Sequence, residues 1–154
     1  AVGRIAASTG LGGRGARRVQ VRFDGAEIRD DTALLHGYGF ASRPRVGADA
    51  VVIFPGGNRA AGFIIATNDR RFQVELAEGE AVVHDDLGHR VHLTRAGIVI
   101  DGGGDLVTVR NTPKLRVEGD IEATGDVKAG TVSLRTHVHT AVQPGAGTSG
   151  PPQS

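Results

Sequence analysis

Apolar and polar residues alternate in short runs along the whole chain, and no segment sustains the period of a helix. In the first half this alternation predicts strands at 17–23, 33–40, 49–55 and 60–68. Turn-forming stretches such as "DGAEIRDD", "SRPRVG" and "PGGN" separate them. Four or five strands in about 75 residues suit a small closed barrel. We therefore predict an all-β fold that begins with an OB-fold-like barrel over residues 1–76.

The second half is built from sparser units of about five residues, with glycines between them. Their apolar positions hold only valine, leucine, isoleucine and alanine, mostly on one face of each unit. The predicted strands are 81–85, 90–94, 97–101, 106–110, 114–118, 120–124, 126–130 and 131–135. These short strands predict a thin shaft over residues 77–135.

A single ribbon of this kind cannot enclose a core, because each strand offers only two or three aliphatic side chains. Association about a three-fold axis solves the problem if each chain supplies one side of a narrow β-prism. A monomeric β-meander with one solvated face is the alternative that the pattern leaves open. Composition fits the slender prism, because every aromatic residue precedes the shaft: Phe23, Tyr38, Phe40, Phe54, Phe63 and Phe72.

Charge also divides the chain near residues 75–80. Up to residue 76 there are 11 arginines and no lysine against 7 acidic residues, and from residue 77 there are 7 basic and 10 acidic residues. The net charge of +1 gives no reason to expect nucleic-acid binding. The absence of cysteine excludes disulfides and thiolate metal sites. We see neither an apolar run of membrane-spanning length nor a signal peptide, and we expect a soluble protein.

Two motifs that could indicate enzymes have simpler explanations. The glycines of "GLGGRG" (10–15) match a dinucleotide-binding fingerprint, but a strand pattern follows them where that motif requires a helix, so we predict a hairpin loop. In "HDDLGH" (84–89) carboxylates stand beside histidines, and we interpret this stretch as a turn between two strands. A monomeric metal-dependent hydrolase would use His84, Asp85, Asp86 and His89.

The segment "THVHT" places His137 and His139 two positions apart, so on a strand both side chains share one face. Two imidazoles underfill every common metal geometry, and on a single strand such a pair is an ordinary coincidence. Three chains would supply six nitrogens to one ion, and Fe(II), Ni(II), Co(II) or Zn(II) could fit. A saturated site of this kind is structural, and the tail "AVQPGAGTSGPP" would fold back over it as a cap.

Three stretches give the sequence a resemblance to a known family: "GFASRPRVGADAVVIFPGGNRAAGFIIATNDRR", "LAEGEAVVHDDLGHRVHLTRAGIVIDGG" and "THVHTAVQPGAGTSGPP". The chain resembles the baseplate assembly protein V, or central spike, family of contractile-tailed phages in its bacteriophage Mu-type form. The resemblance implies a homotrimer with an OB-fold barrel, an intertwined β-helical spike and a metal-binding apex at 136–154. It also implies that His137 and His139 of three chains hold one octahedral iron ion, Fe(II), through six histidine nitrogens.

The resemblance further implies a mechanical role without catalysis. The spike would cap the tail tube at the baseplate hub, sit at the virion tail tip, and breach the host outer membrane when the sheath contracts. Because the chain starts at Ala1, we expect a hub-contacting segment to precede it. A trimeric fibre that binds a receptor or surface glycan through the arginine-rich loops "SRPR" and "NDRR" is the alternative function.

Overall fold

The computed structural model describes residues 1–11, 15–24, 27–139 and 145. They form an all-β protein with short 3₁₀ turns, and contacts divide the chain into two compact units, Ala1–Val107 and Thr108–Ser154. The described residues contain no helix with the length and hydropathy that a bilayer crossing requires.

The first unit opens with a closed barrel of five strands in the order β1-β2-β3-β5-β4, with β4 pairing back onto β1. All neighbouring strands are antiparallel except β3 and β5, which are parallel. This is the strand order of an OB-fold, so the predicted barrel is confirmed. Its strands are β1 (Val2–Leu11), β2 (Arg17–Arg22), β3 (Ile28–Leu34), β4 (Asp49–Ile53) and β5 (Phe63–Asn68).

The barrel core consists of small and medium aliphatic side chains with a phenylalanine at one end. Alternate residues of each strand point inward, as in Arg17–Arg22, where Val19 and Val21 are buried between polar neighbours. The buried hydrophobic residues are Ile5, Val19, Val21, Phe23, Leu34, Ala48, Ala50, Val52 and Ile64. Phe54 packs against this cluster, with its ring centroid 5.9 Å from that of Phe23.

The barrel differs from the sequence prediction in several places, and strand β1 was not predicted at all. Strand β3 begins at Ile28, inside the stretch that we predicted as a turn, because cross-strand pairing with β2 outweighs the turn preference of its two aspartates. The strand predicted at 33–40 ends at Leu34. Beyond it His36 bonds the Ser42 hydroxyl across 3.0 Å and closes a loop. Residues 12–14 of the predicted hairpin loop lie outside the described residues, and Leu11 pairs with Arg17 on either side of them.

The same unit contains a three-stranded antiparallel sheet of β6 (Ala81–His84), β7 (Arg90–Leu93) and β8 (Ile98–Asp101). These strands agree with the predicted units, and the predicted turn lies between β6 and β7. An ion pair between Arg45 of the barrel and Asp86 of this turn joins the two parts. Arg45 also lies over the Phe72 ring, 5.9 Å from its centroid.

The second unit contains one small hairpin, formed by β9 (Lys128–Ala129) and β10 (Val132–Ser133). The strands predicted at 106–110, 114–118 and 120–124 are not strands in the described chain. Their apolar side chains are exposed, with 93% of Leu106 and 73% of Ile121 accessible. A strand needs a neighbouring strand to bond, and among the described residues no strand pairs with these segments.

Candidate functional site

The predicted metal ligands His137 and His139 lie beside each other after the hairpin. Their ring centroids are 5.1 Å apart and the ring planes meet at 78°, an edge-to-face arrangement. Both residues are exposed. The structure thus brings the two imidazoles together, although both residues lie beyond the last strand, on which the spacing argument was based.

The backbone leading to His137 is fixed by the hairpin and its turns. Gly130 adopts a left-handed φ of 61°, which lets the chain reverse between β9 and β10. The Leu134 N–H then donates to the Val127 carbonyl at 2.8 Å, and the His137 N–H donates to the Ser133 carbonyl at 3.0 Å. The strand therefore ends in a compact turn that sets the position of the first histidine.

An aspartate buttresses this turn from within the hairpin. One carboxylate oxygen of Asp126 accepts from the Ser133 hydroxyl at 2.9 Å and from the Arg135 N–H at 3.3 Å. The Ser133 oxygen in turn accepts from the Thr136 N–H at 3.0 Å. Sequence analysis did not single out Asp126 or Ser133, although their position at turn ends is typical of such local bonds.

The His137 ring is oriented by a main-chain bond. Its Nδ1 lies 2.9 Å from the Ser133 carbonyl and 3.2 Å from that of Leu134. A carbonyl only accepts, so Nδ1 carries the proton and Nε2 of the neutral ring keeps its lone pair. Metal-bound histidines commonly use this arrangement, in which one nitrogen binds a carbonyl and the other is free to bind an ion. The orientation fits a ligand role for His137.

Two imidazoles do not complete a metal site in one chain. Within the part of the chain that the structure describes, no three histidine, cysteine, aspartate or glutamate side chains are grouped so that they could hold an ion. The tail that we expect to cap the site, residues 140–154, lies outside the described residues except for Gly145. The assignment of His137 and His139 as ligands stays a prediction.

A second unusual feature is an apolar face on the three-stranded sheet. Val83, Val91 and Ile100 stand in one row across the three strands, and Ala81, Leu93 and Ile98 form the next row. All six are exposed, with 63% of Val83, 70% of Ile98 and 63% of Ile100 accessible. A soluble chain rarely leaves such a continuous aliphatic surface uncovered.

The opposite face of the sheet is largely polar. Its end row contains His84, Arg90 and Asp101, and Arg90 bonds Asp101 at 2.9 Å. A hydrogen bond from the Gly103 N–H is the main cause that lowers the pKa of Asp101. The sheet therefore has one purely aliphatic face and one face that carries most of its polar side chains.

The residues of the hydrolase alternative do not converge on one point. Asp86 is paired with Arg45, and His84 Nδ1 lies 3.1 Å from the main-chain carbonyl of Asp85. His89 contacts Asp85, but its second partner is Asp105, which sequence analysis did not single out. No spacing rule indicates Asp105, since it lies 16 residues from His89.

The arginine-rich loops of the glycan-binding alternative are engaged within the chain. Arg43 donates to the Ser8 carbonyl at 3.0 Å, and Arg70 bonds Asp49 at 3.0 Å. Arg71 binds Asp69 at 2.6 Å and the Val46 carbonyl at 3.0 Å. These contacts explain the basic loops as structural elements of the barrel.

Comparison with known families finds two matching regions in the chain. Residues 12–71 match the family described as Bacteriophage Mu Gp45, N-terminal, and residues 132–153 match the GpV apex motif. The first match falls in the barrel region. The second begins at Val132 in β10 and includes His137 and His139.

Two curated relatives extend the similarity between these regions. The baseplate puncturing device gp45 of Escherichia phage Mu is 31% identical over 117 residues, which are 71% of this chain and 59% of the relative. The Mu-like prophage FluMu protein gp45 of Haemophilus influenzae (strain ATCC 51907 / DSM 11121 / KW20 / Rd) is 29% identical over 85 residues, 54% of this chain and 46% of the relative. The chain thus spans about half the length of the curated relatives it matches. Together with the two family matches, these similarities confirm the resemblance: the chain is a relative of the Mu-type phage baseplate spike proteins.

Proposed function

We propose that this chain is the central spike at the tip of a contractile phage tail, or of an equivalent prophage-derived particle, and that it pierces the host outer membrane. The proposal is supported by the similarity to a protein named for puncturing at the baseplate. The role is mechanical rather than enzymatic. Its partners are the baseplate hub, the tail tube and, transiently, the host outer membrane.

The observation that carries this proposal is the exposed apolar face of the three-stranded sheet. Burying aliphatic surface contributes about 25 cal/mol per Å², so a row such as Val83, Val91 and Ile100 favours association strongly. We propose that two further copies of the chain cover this face in a homotrimer. Only aliphatic side chains line it, which suits a narrow three-fold axis.

The proposed division of labour follows the chain. Residues 1–76 form the barrel, 77–135 the intertwined β-helical or β-prism shaft, and 136–154 the apex. Within the shaft, segments 106–110, 114–118 and 120–124 become strands when neighbouring chains supply the hydrogen bonds that a single chain lacks. The exposure of Leu106 and Ile121 supports this reading, because both side chains are then covered by other copies.

At the apex, His137 and His139 of three chains would hold one transition metal, which we propose is Fe(II) in octahedral coordination. The fit rests on the His137 ring, whose Nδ1 is committed to the Ser133 carbonyl and whose Nε2 is free. When bound, the ion supplies a cross-link among three chain ends. The residues themselves position the rings and resist fraying where the shaft runs out of apolar surface.

Force transmission follows from this construction. Contraction of the sheath pushes the spike along its axis, and interlocked strands resist bending because every chain is hydrogen-bonded to its neighbours. No side chain after Arg135 carries a fixed charge, so the tip enters lipid without a charged group to desolvate.

One experiment tests the assembly and the metal together. Native mass spectrometry and elemental analysis of the same sample are expected to give three times the chain mass of 15.9 kDa and one iron per three chains. His137→Ala and His139→Ala lose the metal, whereas His36→Ala, which alters a barrel histidine, keeps it. A metal-free single chain in the wild type would refute the proposal.

Piercing requires its own test. Contractile particles that carry the chain with Ile100→Asp, a charge on the apolar face, are expected to adsorb normally but to leave the outer membrane intact. Release of a periplasmic enzyme measures the breach. Equal release by particles with and without a functional spike would contradict the proposed role.

A further inference from the structure

The side chain of His89 lies between two carboxylates that belong to different turns. Its Nδ1 is 2.6 Å from Oδ2 of Asp85, and its Nε2 is 3.2 Å from Oδ2 of Asp105. Asp85 is part of the turn between β6 and β7, whereas Asp105 follows β8. One imidazole therefore connects the β6–β7 turn with the turn that follows β8.

The chemistry of this bridge depends on a proton. An ionised carboxylate only accepts hydrogen bonds, and a neutral imidazole has a single N–H to donate. A neutral His89 would therefore turn a lone pair toward one of its two partners. Only the imidazolium, with an N–H on each nitrogen, satisfies Asp85 and Asp105 at once.

The first partner is held firmly in its turn. Oδ1 of Asp85 accepts from the Leu87 N–H at 2.8 Å and from the His89 N–H at 3.1 Å. Burial alone would raise the pKa of Asp85, but these hydrogen bonds and the one from the His89 ring lower it overall. Asp85 is thus an ionised, fixed anchor for the imidazole.

Asp105, the second partner, lies in a turn that contacts the turn of Asp85. The Asp105 N–H donates to the Gly102 carbonyl at 2.8 Å. An added Cβ on Gly103 would lie 3.1 Å from both the Gly88 carbonyl carbon and the Leu87 oxygen. The two turns therefore pack backbone to backbone, and the imidazole spans them.

The surroundings favour a positive charge on His89. Two other carboxylates of these elements are already paired with arginines: Asp101 on β8 with Arg90, and Asp86 in the β6–β7 turn with Arg45. His84 on β6 directs its ring toward the main-chain carbonyl of Asp85. Hydrogen bonds from the ring to Asp105 and then to Asp85 raise the pKa of His89 above its ordinary value of 6.5.

We propose that His89 is a proton-dependent latch that holds the turn of residues 102–105 against the β6–β7 turn. The proposal concerns the fold of the described chain and does not depend on the proposed function. A group whose pKa is raised in the folded state stabilises it below the unfolded value, and the stabilisation is lost as pH rises through the folded pKa. The latch is therefore closed below the raised pKa of His89 and opens as pH rises through it.

Opening changes the apolar groove at this end of the sheet. A groove of about 510 Å³ is lined by Val83, Val91 and Ile100, and Leu106 and Val107 form its other side. Leu106 and Val107 follow Asp105 directly, so release of Asp105 changes the side of the groove that they form. The proton on His89 therefore determines whether this side of the groove is held in place.

Nuclear magnetic resonance of ¹⁵N-histidine-labelled full chain tests the latch. Ring nitrogen shifts are followed from about pH 5 to about pH 9 in the wild type, Asp105→Asn and Glu118→Gln. Glu118 is a matched control, since its side chain is 76% exposed against 78% for Asp105 and its partner is Arg116. Amide exchange of residue 105 is measured in the same samples.

We expect His89 to be mostly protonated at about pH 6.5 in the wild type, because its pKa is raised above that value. Asp105→Asn lowers its pKa, and Glu118→Gln leaves it unchanged. Exchange of the Asp105 amide, corrected for intrinsic base catalysis, accelerates about tenfold as His89 loses its proton. Any of three results would refute the latch: His89 is neutral at that pH, its pKa is the same in Asp105→Asn as in the wild type, or the exchange rate of the Asp105 amide does not change as His89 titrates. The wild-type titration tests the latch even if a variant does not fold.

Discussion

Val91 and Ile100 lie directly opposite each other on β7 and β8, and both side chains belong to the apolar face of the sheet. Val99, the next residue along β8, pairs with His92 on the other face. Neighbouring positions of β8 therefore lie on opposite faces of the sheet.

This alternation predicts how charge affects assembly. Ile98→Asp is expected to shift the native mass from three chains to one, because it places an unpaired charge in the proposed interface. Val99→Asp, one residue away on the opposite face, keeps the assembly intact. Native mass spectrometry distinguishes them, and equal behaviour of the two variants would show that the apolar face is not the contact.

The barrel core predicts a large difference between two adjacent isoleucines. Ile64 is 0% exposed and Ile65 is 48% exposed. Ile64→Ala is expected to lower the free energy of unfolding by about 2–5 kcal/mol, because it removes buried methyl groups and leaves a cavity. Ile65→Ala costs less than about 1 kcal/mol. Urea denaturation measures both, and similar losses would contradict the assigned orientation of β5.

A glycine at the end of the barrel is required for space. An added Cβ on Gly62 would lie 2.5 Å from Cε1 of Phe54. The Phe54 ring is covered by the Arg59 guanidinium, 4.8 Å from its centroid, so it has little freedom to move away. Gly62→Ala is therefore expected to destabilise the barrel by about 1–3 kcal/mol.

Gly125 provides the control for that substitution. Its added Cβ would meet no atom within 4 Å, and its φ is not in the left-handed region. Gly125→Ala is expected to leave the free energy of unfolding unchanged within about 0.5 kcal/mol. If Gly62→Ala were equally harmless in thermal unfolding, the close packing of Phe54 would be wrong.

The arginines around Glu27 predict that the stability of the barrel depends on pH. Hydrogen bonds from Arg59 and Arg29 lower the pKa of Glu27 below its ordinary value of 4.5. Its stabilisation is complete above that value and is lost as pH falls through the lower, folded pKa. Glu27→Gln is thus expected to reduce the melting temperature at about pH 7, and its difference from the wild type is smaller at about pH 3.

Calorimetry at the two pH values checks the Glu27 prediction. The control is Glu118→Gln, which removes an exposed ion pair of 3.0 Å with Arg116 and is expected to have little effect at either pH. A constant difference between Glu27→Gln and the wild type across the whole range would mean that ionisation of Glu27 does not contribute.

Alternation of side chains was enough to predict the central barrel strands. Val19 and Val21 occupy every second position between polar neighbours, and Val52 lies in a short apolar run, so their strands were found within two residues of the observed ends. Strand β1 was not predicted as a strand because its inward positions include Gly3 and its register shifts after Ile5. Small residues and bulges hide the two-residue period that the prediction relies on.

Contacts between distant turns could not be predicted. The bond of His89 to Asp105 joins residues that are brought together only when three strands have paired in register. The proximity of His137 and His139 is different, because residues two positions apart are near each other in space whatever strands pair elsewhere. Contacts between residues near in sequence could therefore be predicted, whereas contacts that depend on strand pairing could not.

Among the described residues, the hydrogen bonds that hold the hairpin before His137 join near neighbours in the sequence. Asp126 binds Ser133, and Ser133 binds His137, so the ring orientation is determined within a dozen consecutive residues. The geometry of this segment therefore does not depend on how many residues precede it.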